Sequence, residues 1–191
     1  MKNILLPTLI TGAVLALSAC GSSGGGGTPA VVVSKFNGTW NGGCQTLPNN
    51  RSMKQQWKIN ADGTLDNNIS AWVGGDCPGS RLGVVKAKAE ITYEDEVEVS
   101  HTCKAGEKAQ GVILKYVSLD AGPLGTHLGE NDINTYLNTQ GIKLPKYNLV
   151  CIGENNKLYT GLITPATDGS TKAKRPTEMD QRPENSFTPS S

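Results

Sequence analysis

The chain has 191 residues, with 18 lysines and arginines against 17 aspartates and glutamates, and a formal net charge of +1. This near-equality of basic and acidic side chains argues against nucleic-acid binding and against electrostatic docking on a membrane. Only 5% of the residues are aromatic and 23 are glycine, a composition that predicts a modest core with many turns. The length fits a single domain.

The N-terminal segment has the organisation of an export signal. Lys2 precedes an apolar stretch from Ile4 to Leu17, and these 14 residues fall short of a bilayer span. The stretch ends in Leu17-Ser18-Ala19-Cys20, which resembles the lipobox of bacterial lipoproteins. That resemblance implies a signal peptide of residues 1–19, cleavage before Cys20, and acylation of Cys20 with fatty acids such as palmitate. Several acyl chains on one residue give stable anchoring.

The residues after Cys20 are typical of a tether. The first half of Gly21–Ser34 offers nothing to pack, and a flexible coil of these 14 residues reaches about 20 Å. In enteric bacteria, an acidic residue directly after the lipidated cysteine retains a lipoprotein in the inner membrane. Gly21 and Ser22 carry no such signal, which favours the outer membrane. We therefore expect the protein to be anchored to the outer membrane, either on its periplasmic face or at the cell surface. Residues 20–34 would then hold the folded body away from the membrane.

Residues 35–182 are predicted to form one all-β domain, either a small antiparallel up-and-down barrel or a sandwich, with about eight strands. Alternating apolar and polar residues mark the strands, and Asp62-Gly63 marks a hairpin turn. The acidic run at residues 94–96 is interpreted as a solvated hairpin tip rather than a calcium site. The predicted strands cover residues 35–44, 54–60, 64–73, 84–92, 97–103, 112–118, 147–153 and 157–164.

Other positions in the domain follow from periodicity. Ala71 and Val73 are predicted to face the core along with Leu65 and Ile69, which places Trp72 on the outer face. Residues 130–140 have helical spacing and predict one short amphipathic helix, under which Trp72 would pack. The polar, proline-containing residues 183–191 are predicted to be a disordered tail.

The cysteines that remain after Cys20 number four, and an even number in an exported chain predicts disulfides. No two lie at the spacing of a zinc site. Three pairings are open. Cys44 ends the first predicted strand and Cys77 follows the third, so they meet at one end of an up-and-down sheet, whereas Cys103 closes the fifth strand and Cys151 lies in the seventh. This order favours Cys44–Cys77 and Cys103–Cys151, with unpaired thiols as the alternative.

The start of the domain, FNGTWNGGC, carries a resemblance to known proteins. Gly38-Thr39-Trp40 is similar to the G-x-W signature of lipocalin-like barrels, which implies a structural role for Gly38 and Trp40 and a tryptophan that closes one end of the barrel. Together with GGDC (74–77), LYTG (158–161) and RPTEMD (175–180), it resembles a group of uncharacterised proteobacterial outer-membrane lipoproteins. The lipocalin likeness implies a barrel that holds a ligand.

Motifs of catalysis are not found in the sequence. G-x-S-x-G, H-E-x-x-H, the P-loop and the Rossmann glycine fingerprint are all missing. His101 and His127 are the only histidines, and a metal site formed by His127 with Asp120 and Glu130 is not favoured. We therefore predict no catalytic, cofactor-binding or metal-binding residues.

The function predicted from these observations is a non-enzymatic binding or envelope-interaction module. Its expected partners are the lipid bilayer, through acylated Cys20, and either an envelope protein or a small apolar ligand. One alternative is a periplasmic inhibitor or sensor of an envelope enzyme, which would use loops such as 119–146. Another is a lipocalin-like carrier of a small apolar ligand. An enzyme would require a cleft with perturbed carboxylates.

Overall fold

A computed structural model describes residues 34–47, 50–77, 79–100, 102–120, 127–128 (backbone only), 144 and 146–190. In these residues the fold is all-β, and one antiparallel sheet closes into a barrel of eight strands. A further strand of two residues, β6 (His127–Leu128), pairs with β5 outside the ring. The strands of the ring are β1 Gly38–Leu47, β2 Arg51–Ile59, β3 Thr64–Val73, β4 Ser80–Val97, β5 Ala109–Asp120, β7 Tyr147–Ile152, β8 Leu158–Thr160 and β9 Ser186–Pro189.

The barrel has up-and-down topology. Each strand of the ring pairs with the next one along the chain, and β9 closes the ring by pairing with both β8 and β1. The prediction of an antiparallel barrel is thus confirmed over the alternative of a sandwich. A barrel of this strand number has an interior that side chains just fill, or one that holds a small ligand.

One predicted strand does not exist. β4 runs without interruption through the acidic residues 94–96 to Val97, and the described residues from 98 to 108 form no strand. Val97 is the last residue of β4, and Val99 and Cys103 follow it outside the sheet; the three alternate because they pack together against the second cluster of buried residues. The interpretation of residues 94–96 as a hairpin tip is also wrong, since Glu94 lies within β4 and pairs with Lys172 and Arg175.

The predicted disordered tail is wrong as well. Residues 183–185 form a 3₁₀ turn, Pro183–Asn185, and β9 follows it directly. Phe187 of β9 is buried, and its ring centroid lies 5.1 Å from that of Trp57. The barrel needs this strand because β1 and β8 would otherwise expose unpaired edges. The domain therefore extends past residue 182.

The chain enters the barrel beside a packed aromatic group. Trp40 is buried, and its Nε1 donates a hydrogen bond of 2.7 Å to the carbonyl oxygen of Phe36. The ring of Phe36 stacks on that of Tyr93 with centroids 6.1 Å apart. Gly38 has a φ of +138°, which favours glycine. We call this end of the barrel, formed by Phe36, Trp40 and Tyr93, the plugged end.

β7 is buried on both of its faces. Val150 points into the barrel core, whereas Leu149 and Cys151 belong to a second cluster on the outside. A continuous apolar run such as LVCI (149–152) is typical of a strand covered on both sides. The second cluster is completed by Ala109 and Met179 and by the partly buried residues Val97, Val99, Cys103 and Tyr159.

Both predicted disulfides are present in the structure. Cys44 and Cys77 have their Cα atoms 5.8 Å apart, and Cys103 and Cys151 have theirs 5.5 Å apart. The first joins β1 to the loop after β3. The second ties the loop after β4 to the outer face of β7 and so holds the second cluster closed.

The end of β3 departs from the predicted alternation. Leu65 and Ile69 are fully buried as predicted, but Val73 is 48% exposed and Ala71 is only partly buried. The pairing of β3 with β4 is irregular at this point: Ala71 pairs with Gly83 and Trp72 with Arg81, so Leu82 of β4 has no partner residue and the regular alternation ends. Trp72 is partly exposed and belongs to neither cluster.

Several predictions concern residues outside the described ranges. These are the signal peptide and tether with Cys20, the helix at 130–140, and the side chains of His101 and His127. Among the residues that are described, no helix is long and apolar enough to cross a membrane.

Candidate functional site

A cavity of about 250 Å³ lies inside the barrel, at the end opposite to the plugged end. It is bounded where β1 finishes at Leu47 and β2 begins, and by the segment that connects β8 to β9. We call this the open end. Its apolar lining residues are Leu47, Met53, Trp57, Leu144, Ile163 and Phe187, and its polar ones are Gln45, Gln55, Tyr116, Asn148, Thr160, Asp180, Arg182 and Asn185.

The mouth of the cavity is held by one buried carboxylate. Asp180 is only 3% exposed, and its Oδ2 accepts hydrogen bonds of 2.6 Å from Arg182 Nη2 and 2.6 Å from Asn185 Nδ2. Its Oδ1 accepts from Nε and the backbone N–H of Arg182, at 2.9 and 3.1 Å. Burial alone would raise the pKa of Asp180, but these bonds outweigh it and hold that pKa below its ordinary value.

This network also joins the mouth to β1. Gln45 Nε2 donates to Asn185 Oδ1, so the 3₁₀ turn Pro183–Asn185 is bonded to the far part of β1. The turn lies so close to β1 that a Cβ on Gly43 would stand 2.5 Å from the Cα of Glu184. The register of β1 against β2 shifts at this point, between Asn41 and Cys44. Glycine at 43 is therefore required by the approach of the turn.

The segment before the turn is positioned by a second glycine. A Cβ on Gly161 would stand 2.4 Å from the Cβ of Pro176. The backbone of residues 160–162 pairs with that of residues 178–180 through N–H groups of Leu162 and Asp180, at 2.8 Å each. Asn148 Oδ1 accepts from the N–H groups of Leu149 and Gly161 and locks β7 to the same place.

The sequence motifs singled out above are therefore neighbours in space. LYTG (158–161) contacts RPTEMD (175–180), and the glycines of FNGTWNGGC contact the turn and the strand that follow RPTEMD. The disulfide Cys44–Cys77 adds the cysteine of GGDC to the same group. Two of the four motifs supply lining residues of the cavity, Thr160 and Gly161 from LYTG and Asp180 from RPTEMD, and the other two adjoin them through Gly42, Gly43 and the disulfide.

Tyr116 is the polar side chain of the cavity with the least compensation. It is 7% exposed, and its Oη has no hydrogen-bond partner among the described residues. Burial raises the pKa of its hydroxyl, which is therefore protonated at neutral pH and able to donate and to accept. A buried polar group without a partner is costly, so native structures satisfy nearly all of them.

Asn67 is a second such group in the barrel interior. It is 1% exposed, and neither Nδ2 nor Oδ1 has a partner among the described residues. Its cross-strand neighbours are Trp57, which lines the cavity, and Ala87 of β4. Tyr116 is the cross-strand neighbour of Ala89 on the same strand. On the inner face of the sheet, Ala87 and Ala89 of β4 therefore lie between Asn67 on β3 and Tyr116 on β5.

A cleft on the outer face of β1–β5 differs from this cavity. It has a volume of about 350 Å³, and lysines alternate with acidic residues along it. Lys58, Asp66 and Lys88 are successive cross-strand neighbours there. No aromatic side chain lines the cleft among the described residues. It is the solvated outer face of the sheet.

The comparisons with known proteins do not extend the resemblance drawn from the motifs. No family model matches the chain, and no curated protein matches it. Among the described residues, no three histidine, cysteine, aspartate or glutamate side chains are grouped so as to hold a metal ion. Fold and site together define a closed antiparallel barrel with one plugged end and an internal cavity at the other.

Sequence reasoning missed most residues of the cavity. Tyr116 follows Val112 and Leu114 at the period of a strand, so its inward direction was readable from the sequence. Asp180, Arg182 and Asn185 lie in a polar segment with no periodic pattern, and only the closure of the barrel by β9 brings them to the mouth. Trp40, predicted to close one end, lies at the plugged end and does not line the cavity.

Proposed function

We propose that this protein is a lipid-anchored, non-enzymatic binding module of the bacterial envelope, and that it holds a small ligand in the cavity of its barrel. The observation that supports this most is the cavity itself, whose wall contains the buried hydroxyl of Tyr116, which has no partner in the part of the chain that the structure describes. Internal pockets with apolar walls and a few placed polar groups are the usual form of a small-molecule site.

The chemistry of the wall supports binding rather than catalysis. Asp180 is the one carboxylate among the described residues that line the cavity, and Arg182 and Asn185 occupy its oxygens. A general acid or base that works near neutral pH needs a carboxyl pKa raised towards that range. The pKa of Asp180 is lowered instead. Asp180 thus fits a role in holding the mouth in shape.

The proposed location rests on two features of the chain. Leu17-Ser18-Ala19-Cys20 resembles a lipobox, and the body contains two disulfides of the kind that persist outside the cytosol. The body begins at the plugged end, so a tether on residues 20–34 would leave the mouth of the cavity at the far end of the barrel.

The anchor is tested by metabolic labelling with a clickable fatty acid in a bacterial host. We expect label on the wild type and on a Ser22→Ala control, and none on Cys20→Ala, which should leave the membrane fraction. Label on Cys20→Ala would show that another residue is acylated, or that the lipoprotein proposal is mistaken.

The binding role is tested on the full chain, extracted in mild detergent and examined by native mass spectrometry. We expect a bound small molecule that is released on unfolding, with a mass different from that of the detergent. Leu47→Trp, which fills part of the cavity, should abolish the bound species, whereas the outer-face control Asn68→Ser should keep it. Identical spectra for Leu47→Trp and wild type would contradict binding in the barrel.

A further inference from the structure

The inference concerns the class of ligand and rests on the function proposed above. We propose that the cavity selects an uncharged, amphipathic small molecule whose hydroxyl, carbonyl or amide group hydrogen-bonds to Tyr116 Oη, while its apolar body packs against Trp57, Met53 and Phe187. A purely apolar ligand leaves that hydroxyl without a partner, and a charged ligand finds no free counter-charge among the described residues of the lining.

The size of the cavity sets the size of the ligand. Its volume of about 250 Å³ is equivalent to roughly eight water molecules at about 30 Å³ each. One or two fused rings, or a chain of similar bulk, fit this space. Lipid molecules with long acyl chains and folded peptides are too large to be enclosed in it.

The charges of the wall set the charge of the ligand. Asp180 and Arg182 are the two ionised side chains among the described lining residues, and they pair with each other through two donor atoms of one guanidinium group. The pair is neutral as a unit. A charged ligand would lose its hydration on entry without a new partner of opposite charge, which is unfavourable in an interior.

The unpartnered polar atoms set the functional group of the ligand. The hydroxyl of Tyr116 is both a donor and an acceptor, and the amide of Asn67 is both as well. Each is at least nine-tenths buried and has no partner among the described residues. Tyr116 lines the cavity, whereas Asn67 lies beside it as the cross-strand neighbour of the lining residue Trp57. Between them β4 presents only the small side chains of Ala87 and Ala89. Hydroxyl, carbonyl and amide groups all satisfy such atoms without carrying charge.

The test uses four bicyclic probes of nearly the same shape, with binding measured by equilibrium dialysis on the intact, disulfide-bonded protein. The probes are 2-naphthol, 2-methylnaphthalene, 2-naphthoate and 2-naphthylmethylammonium. We expect 2-naphthol to bind roughly two- to tenfold more tightly than 2-methylnaphthalene, which is the range of one net hydrogen bond. Both charged probes should bind more weakly than 2-naphthol.

Two variants assign the preference to its residue. Tyr116→Phe keeps the ring and removes the hydroxyl, so its affinities for 2-naphthol and 2-methylnaphthalene should become equal. Tyr93→Phe removes a hydroxyl at the plugged end and should keep the wild-type preference. Retention of the preference in Tyr116→Phe would overturn the assignment, because a merely structural tyrosine predicts no change in selectivity.

The remaining outcomes separate this inference from the proposed function. Equal binding of 2-naphthol and 2-methylnaphthalene by the wild type would overturn the ligand class and leave the cavity as a binding site. Tightest binding by either charged probe would also overturn the ligand class. If none of the four probes binds and native mass spectrometry finds no bound molecule, both the inference and the proposed function fail.

Discussion

The two ends of the barrel use their polar atoms in opposite ways. At the plugged end, the one polar atom of Trp40 is bonded to the backbone of Phe36, and the surrounding rings fill the space. At the open end, the hydroxyl of Tyr116 lies in a cavity with no partner among the described residues, although Asp180 at the mouth is hydrogen-bonded to Arg182 and Asn185. One end is therefore packed for stability, and the other keeps a polar group available at an energetic cost.

Removal of Trp40 at the plugged end should have the largest effect on stability. Trp40→Ala deletes a buried indole and should lower the free energy of unfolding by about 3–5 kcal/mol. That is a large share of the roughly 5–15 kcal/mol that a domain has. Denaturant unfolding measures it, with Trp72→Ala as the matched control, since Trp72 belongs to neither buried cluster. Equal, small effects of the two substitutions would contradict the plug.

The disulfides allow the open end and the second cluster on the outside of the barrel to be perturbed one at a time. The bonds close 33 and 48 residues of sequence separation, so each should stabilise by about 4 kcal/mol in the chain-entropy model, or less if the unfolded state is compact. Cys103→Ala with Cys151→Ala should cost more than Cys44→Ala with Cys77→Ala, because Cys151 is fully buried in the second cluster. Thermal unfolding gives both values.

Ligand binding separates the same two double variants. The bond Cys44–Cys77 braces the part of β1 that receives the turn Pro183–Asn185, so its loss should weaken probe binding in the cavity. The bond Cys103–Cys151 lies on the outer face, and its loss should leave the affinity unchanged. A reversed pattern would show that the mouth does not depend on β1.

The sequence predicted the barrel better than its parts, and the reasons are specific. The alternation of Val97, Val99 and Cys103 indicated a strand, yet these residues cover an outer cluster that no local pattern reveals. The pairing of Cys103 with Cys151 was nevertheless predicted correctly, because a loop that follows β4 reaches the same place that a strand would have reached.

The prediction for β9 was wrong in the opposite sense, because a strand was taken for a disordered tail. Ser186–Pro189 contains one large apolar residue and a proline, in a polar segment, so its composition favoured disorder. Its strand conformation comes from the free edges of β1 and β8, which are features of the closed barrel and not of the segment. The residues of the mouth were missed for the same reason, because Asp180 and Arg182 acquire their place only when this strand closes the ring.

The open end can be loosened without touching the core. Asp180→Asn removes the charge that Arg182 and Asn185 share, and hydrogen bonds to charged groups contribute about 1.5–3 kcal/mol. We expect a loss of about 1–3 kcal/mol at pH 7 by denaturant unfolding. Arg182→Lys keeps the charge but not the two-pronged geometry, and its cost should be smaller. A larger loss in Arg182→Lys than in Asp180→Asn would contradict the network.

The pH dependence of stability tests whether the charge of Asp180 is responsible for this loss. The pKa of Asp180 is lowered in the folded protein, so its contribution is fully present above the ordinary pKa of about 3.9 and is lost as the pH falls through the folded value. The stabilities of wild type and Asp180→Asn should therefore differ at neutral pH and converge below about pH 4. A constant difference across this range would mean that the charge of Asp180 does not stabilise the mouth.

The smallest expected effect has the opposite sign. Tyr116→Phe removes a buried hydroxyl that has no partner among the described residues, so the ligand-free protein should be equally stable or up to about 1 kcal/mol more stable. Tyr93→Phe removes a hydroxyl that is hydrogen-bonded to the side chain of Ser34, and should cost up to about 1 kcal/mol. The two substitutions delete the same atom from the same residue type and leave each ring in place. If Tyr116→Phe destabilises the ligand-free protein by more than Tyr93→Phe does, the hydroxyl of Tyr116 is already satisfied within the fold, and the open end is then built for stability in the same way as the plugged end.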